Sequence, residues 1–206
     1  MLKSFSKKEF VKSPRSPKSK IYQCCIYVIV ICYMGCLKLS LPALVYLASY
    51  FSVSDEKMKL TVACFLVIYG FAILIWGFLS EIFGRLRCLY VGLTILVIGS
   101  IIVFLSVNDW LYFLGRCIEA FGAGVGSPII RALIFDVYNK KESKVVISRV
   151  SLVMNPVLGL APLIGGYIFY WFGWRYIFII YCVFVICISI FLYFYFLIYQ
   201  RHLIII

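Results

Sequence analysis

The chain has 206 residues, of which 65% are hydrophobic and 14% charged, whereas soluble domains are about 45–50% apolar and about 25% charged. One soluble core cannot take up that much apolar surface, so an ordinary soluble domain is excluded and a polytopic membrane protein is expected. The formal net charge of +12 does not point to nucleic acid, because the basic residues are sorted by segment along the chain.

Residues 1–20 are rich in Lys, Ser and Pro. They read as a basic cytoplasmic tail that sets orientation, with binding to anionic lipid as a further role. A signal peptide does not fit, since the following apolar run is about 30 residues long and lacks a small-residue cleavage site. Six apolar runs then follow, at 21–51, 60–79, 88–107, 110–135, 145–172 and 176–199, and a short cytoplasmic tail is expected at 200–206. Each run is long enough for a hydrocarbon layer about 30 Å thick. None alternates with period two, and backbone groups in lipid must be satisfied internally, so all six read as helices. The expected fold is an all-α membrane protein, a six-transmembrane-helix bundle occupying 21–199. Fourteen of the twenty Lys and Arg fall on one side of these spans, against Lys57, Lys59 and Arg175 on the other. By the positive-inside rule, both termini are cytoplasmic.

The first span carries Lys38 within "GCLKLSLPAL". Lys38 lies about 15 Å from the outer end of its span at 1.5 Å per residue. The gap after the second span reads "GFLSEIFGRLR", residues 77–87. A plain connector needs only polarity, whereas this one spaces Gly77, Glu81, Gly84 and Arg85 in a definite order.

The fourth span, "GRCIEAFGAGVGSPIIRALIFD", gathers Arg116, Glu119, Ala120, Ala123, Gly126, Ser127 and Arg131 on one helical face. Bulky apolar residues occupy the other. That small, charged face must look into protein or a water-filled cavity, and ionisable groups in such places are functional candidates. Glu119 lies about 14 Å from Trp110, a depth similar to that of Lys38. An ion pair between Lys38 and Glu119 is therefore feasible, with Arg116 as a competitor one turn away; the alternative is that Lys38 extends its stem along the helix to the outer interface. Two readings remain open for Gly122, Gly124 and Gly126: close helix packing and a flexible cavity-lining helix. In the fifth span, Pro156 and Pro162 each remove a backbone donor, and Gly159, Gly165 and Gly166 permit close approach. A kinked helix is expected there.

The nine cysteines contain no C-x-x-C pair, and the single histidine is His202. Neither a metal site nor a disulfide framework is expected, and the thiols read as small packing residues. With no nucleophile–base pair, phosphate loop or dinucleotide fingerprint, no enzyme and no cofactor are expected.

Together these stretches resemble the N-terminal half of a major facilitator superfamily transporter. Gly77, Leu79, Gly84 and Arg85 match the family's second-to-third loop, with Glu81 where aspartate is usual. The resemblance extends to drug–proton antiporters of the bicyclomycin- and chloramphenicol-resistance type. Arg116, Ala120, Gly122, Ala123, Gly126, Ser127, Arg131, Ala132 and Asp136 fit their fourth helix. "APLIGG" (161–166) is similar to the antiporter motif of helix five, and "GWRYIF" (173–178) to the start of helix six. The chain departs from the pattern at Ile82 and Leu86, where basic residues are usual. Lys38 stands where relatives carry an aspartate, and Glu119 where they carry a glutamine.

The resemblance implies small-molecule efflux coupled to protons in the inner membrane. Lys38, Arg116 and Glu119 would then line the substrate and proton pathway, with Glu119 exchanging protons. Gly77, Glu81, Gly84 and Arg85 would form a conformational latch, and Gly122, Gly126, Gly159, Pro162, Gly165 and Gly166 would carry helix packing and the antiporter motif. Relatives have about twelve spans in two six-helix halves. The expectation is thus a truncated or split transporter whose partner, beyond the bilayer, is a second half or a second copy. An inactive membrane-inserted remnant and a helix-packing interaction subunit are the rival readings.

Overall fold

The computed structural model describes the backbone of residues 17–204 and the side chains of 23–194 except Leu37. Most of the tail expected at 1–20 lies outside the described residues. The helices are α1 (Pro17–Lys38), α2 (Leu44–Tyr50), α3 (Asp55–Phe83), α4 (Arg85–Phe104), α5 (Asp109–Ala123), α6 (Gly126–Val137), α7 (Lys140–Phe172) and α8 (Trp174–Ile204). They compose six stretches long and apolar enough to cross a membrane: Gln23–Tyr50, Asp55–Phe83, Arg85–Phe104, Asp109–Val137, Lys140–Phe172 and Trp174–Phe194. The fold is the expected all-α six-span bundle.

The spans differ from the expected ones at their ends and in two interiors. α3 begins at Asp55 because the Ser54 hydroxyl accepts a hydrogen bond from the Lys57 amide, 3.3 Å away. Asp55 and Glu56 also suit the positive end of the helix. This polar first turn belongs to the helix although its hydropathy reads as loop. Likewise α7 starts at Lys140 rather than 145, and α8 continues through most of the expected C-terminal tail to Ile204.

The first span is broken after Lys38 by a 3-10 turn at Leu41–Ala43. Pro42 in that turn has no N–H to continue an α-helical ladder. The fourth span breaks between α5 and α6, where Gly122, Gly124 and Gly126 lower helix propensity and Pro128 is favoured only in a new first turn. The fifth span, by contrast, runs through both Pro156 and Pro162 as one 33-residue helix.

Gly84 joins α3 to α4 with φ +91° and Gly173 joins α7 to α8 with φ +93°, conformations that glycine adopts without steric cost. α5 packs most closely on α4, α8 packs on α4, α1 on α7, and α3 on α5. The large core runs along α1 and includes Ile26, Ile29, Leu89, Leu96, Ala123 and Ile134. A second cluster, with Leu47, Met58, Tyr112, Trp174 and Phe178, closes the end of the bundle that carries the 51–54 turn.

Candidate functional site

Arg116 and Glu119 lie one turn apart on α5 and are 2% and 0% exposed. Their side chains form an ion pair of 2.5 Å. The other Glu119 oxygen accepts a hydrogen bond from the Ser100 hydroxyl of α4 at 2.7 Å. Gly99 makes this possible, since a Cβ there would sit 2.5 Å from the Glu119 backbone nitrogen. The Arg116 guanidinium also donates to the Cys36 carbonyl at 3.3 Å. That carbonyl lies in the last turn of α1, where helix carbonyls lose their partners and the dipole favours a cation. Phe65 stacks on the guanidinium with its ring centroid 4.5 Å away, and Phe178 lies at 5.7 Å. One buried ionic cluster thus ties α1, α3, α4, α5 and α8 together.

The Lys38–Glu119 pair is not formed. Both Glu119 oxygens are taken by Arg116 and Ser100, and Lys38 has no ion pair among the described residues. The break after Lys38 ends α1 there, and the lysine instead lines a cavity of about 60 Å³ with Tyr33, Met34, Phe65, Tyr69 and Leu158. Arg131, on α6, is exposed and lies close enough to Tyr33 and Tyr69 to interact with both electrostatically. Of the three residues expected along one pathway, the structure joins Arg116 to Glu119 in an enclosed centre and leaves Lys38 on a separate, open cavity.

At the α3–α4 connection, Arg85 pairs with Asp136 at 2.7 Å. Each is unfavourably placed against its own helix dipole, a cation at the start of α4 and an anion at the end of α6. Pairing relieves both. Gly77 faces Pro128, to whose Cβ an added Cβ would be 3.8 Å. Glu81 is exposed. The four residues therefore lie at one connection, with Arg85 contacting α6 and Glu81 turned away from the protein.

The glycines divide. A Cβ on Gly122 would strike the Leu96 backbone, one on Gly126 the Tyr33 ring, and one on Gly165 the Leu39 carbonyl. Gly166 faces Pro42 in ordinary contact, while Gly159 has nothing within 4 Å. Pro162 is partly buried. Residues 161–166 thus seat α7 against the break in the first span.

Sequence reasoning missed Ser100, Gly99, Phe65, Phe178 and Tyr69. The only local signal was the small polar pair Gly99–Ser100 within an otherwise apolar span. Among the described residues no group of His, Cys, Asp and Glu could hold a metal.

An "uncharacterized transporter" of Rickettsia felis is 39% identical over 85 residues, covering 40% of this chain and 20% of that protein. A second "uncharacterized transporter", from Rickettsia bellii, is 38% identical over 84 residues with the same coverage. Among solved structures, a mutant of the peptide transporter POT in complex with sulfate superposes with a TM-score of 0.79 at 16% identity. That match covers 91% of this chain and 40% of the transporter. The same mutant in complex with alafosfalin gives 0.73 at 15% identity, over 82% and 37% of the respective chains. The matched stretch therefore covers about a fifth of the length of the curated relatives, and the chain spans about two fifths of the solved transporters. Residues 26–202 match the Major Facilitator Superfamily, and with six spans in the same arrangement as these transporters the chain belongs to that family.

Proposed function

We propose that the chain forms one six-helix half of a membrane transporter for small molecules. The observation that carries this reading is the superposition of 91% of the chain on only 40% of a solved transporter. A half of this kind supplies one wall of a central pathway, and transport by rocking one half against another needs the second wall. The other wall comes from a second six-helix half or a second copy. The membrane is the inner membrane, with both termini cytoplasmic, as the distribution of basic residues favours.

The finer reading is efflux by proton antiport of the bicyclomycin- and chloramphenicol-resistance type, drawn from the motifs at 116–136 and 161–166. Glu119 is the acid available for protons in the interior. It is bound by Arg116 and Ser100, so exchange requires Arg116 to withdraw, which makes proton coupling and conformational change one step. Arg85 with Asp136 then serves as the latch.

Expression in a pump-deficient cell tests this reading. The chain alone should insert without lowering drug accumulation, and co-expression with a matching six-span half should restore efflux. Insertion with no efflux in either case would favour an inactive remnant. Efflux by the lone chain would assign transport to two copies.

A further inference from the structure

The interior of the spans carries four cations, Lys38, Arg116, Arg131 and Arg149, of which Arg149 is exposed and donates to the Gln23 side chain. It carries one acid, Glu119; the other described acids, Asp55, Glu56, Glu81, Asp109, Asp136 and Glu142, all lie in end turns of helices. Arg116 and Ser100 occupy both oxygens of Glu119. Lys38 and Arg131 are therefore uncompensated by any acid among the described residues. Cations held inside a membrane without a partner are costly and face water or a ligand.

The cavity beside Lys38 has the complementary chemistry. Its volume of about 60 Å³ is room for about four water molecules, enough for a carboxylate and the start of an apolar body. Phe65, Leu66 and Leu158 supply apolar walls, and Tyr33 and Tyr69 supply phenols. The Tyr69 hydroxyl makes no hydrogen bond among the described residues, whereas that of Tyr33 is directed at the Met154 sulfur. Arg131 adds a second positive charge that acts on both phenols. A cationic ligand would meet the like charge of Lys38 and no carboxylate in the cavity lining. An anion would meet Lys38 and the Tyr69 hydroxyl as donors, the first of them charge-assisted.

We propose that the Lys38 cavity is a binding site for a small organic anion, a carboxylate on an apolar or aromatic body. As a substrate site it rests on reading the chain as half of a transporter. A lipid headgroup offers the same charged oxygens, but headgroups lie at the interface, and Lys38 stands fifteen residues inside the Gln23 end and twelve inside the Tyr50 end of its span.

A matched pair of ligands tests it on the purified chain in phosphatidylcholine nanodiscs. 4-Fluorobenzoate and 4-fluorobenzamidinium are alike in size and opposite in charge, and fluorine NMR line broadening reports binding of each. Broadening is expected for the benzoate and not for the benzamidinium. Lys38→Met should weaken benzoate binding at least tenfold, and Lys38→Arg should keep it. Retention in Lys38→Arg guards against a misfolded Lys38→Met being read as a lost site. Nanodiscs with added phosphatidylglycerol should leave the signal unchanged. Equal broadening by both ligands, or benzoate binding indifferent to Lys38→Met, would overturn the proposal. Displacement of benzoate by phosphatidylglycerol would also overturn it and assign the cavity to a lipid headgroup. Binding is read without a second half, so failed transport would leave the anion site standing, and failed binding would leave the transporter reading standing.

Discussion

Withdrawing Glu119 from the centre of the bundle would leave the Arg116 guanidinium buried beside Phe65 with only the Cys36 carbonyl as a polar partner. Breaking a buried pair by removing one member costs about 3–5 kcal/mol, while replacing both members with apolar groups is often neutral. Glu119→Gln and Arg116→Met should therefore each destabilise strongly, and the double variant by much less than their sum. Thermal unfolding of the detergent-purified protein in a double-mutant cycle measures this. Additive losses would mean that the pair does not hold the core. The parallel cycle with Lys38→Met should be additive with Glu119→Gln, because the lysine is not a partner of the acid. That Arg116 and Glu119 share a protein-facing surface was legible from helical spacing alone. Their exclusive pairing was not, because it depends on Ser100 and Gly99, which bring α4 against α5. Matching the depths of Lys38 and Glu119 along two straight helices failed for a related reason: the first span breaks just after the lysine.

Small residues decide where helices touch, and not all glycines are equal in this. Gly122→Val would drive a side chain into the α4 backbone at Leu96, which cannot yield as a flexible side chain can. Gly165→Val would meet the Leu39 carbonyl in the same way. At Gly159 an added Cβ meets nothing within 4 Å, so a valine there has open space. Fluorescence-detected size exclusion should show the monodisperse peak lost for the first two variants and kept for the third. An equal loss at all three would mean that helix propensity, rather than contact, sets the outcome. Which glycine faces another helix cannot be read from "APLIGG" or "GAGVG", because small residues look the same whether they face protein or lipid. The helices themselves were legible, since apolar length is a direct physical requirement of the bilayer. Their interruptions at 39–43 and 124–125 were not, because hydropathy carries no information about backbone continuity. Pro42 broke its span whereas Pro156 and Pro162 did not.

At the scale of the whole molecule, burial is uneven. Trp174–Phe194, Asp55–Phe83 and Lys140–Phe172 are largely uncovered, while Asp109–Val137 and Gln23–Tyr50 form the centre. Orientation follows from the basic residues: a reporter in the 51–54 turn should behave as external and one after Arg201 as cytoplasmic, and the reverse pattern would sink the assignment of sides. The uncovered faces differ in chemistry. On α8 the outward residues Val183, Phe184, Ile190 and Phe191 are bulky and apolar, as lipid contact favours. On α7 the outward face carries Ser151, Asn155, Pro156 and Gly159 among bulky residues such as Leu152, Leu160, Leu163 and Ile164. Small and polar residues of this kind serve helix–helix contact in membranes, where apolar bulk gives no advantage over lipid. The α7 face is therefore expected to meet protein and the α8 face lipid. A photo-reactive benzoylphenylalanine at Leu163, 69% exposed, and another at Ile190, 52% exposed, separate the two. With a matching six-span half co-expressed, illumination should give a protein adduct from position 163 and lipid adducts alone from position 190. An adduct at 163 in the absence of that half, with the mass of two copies, would identify self-association instead. Lipid adducts alone from both positions, with the second half present, would mean that α7 faces the bilayer and that the second wall packs elsewhere.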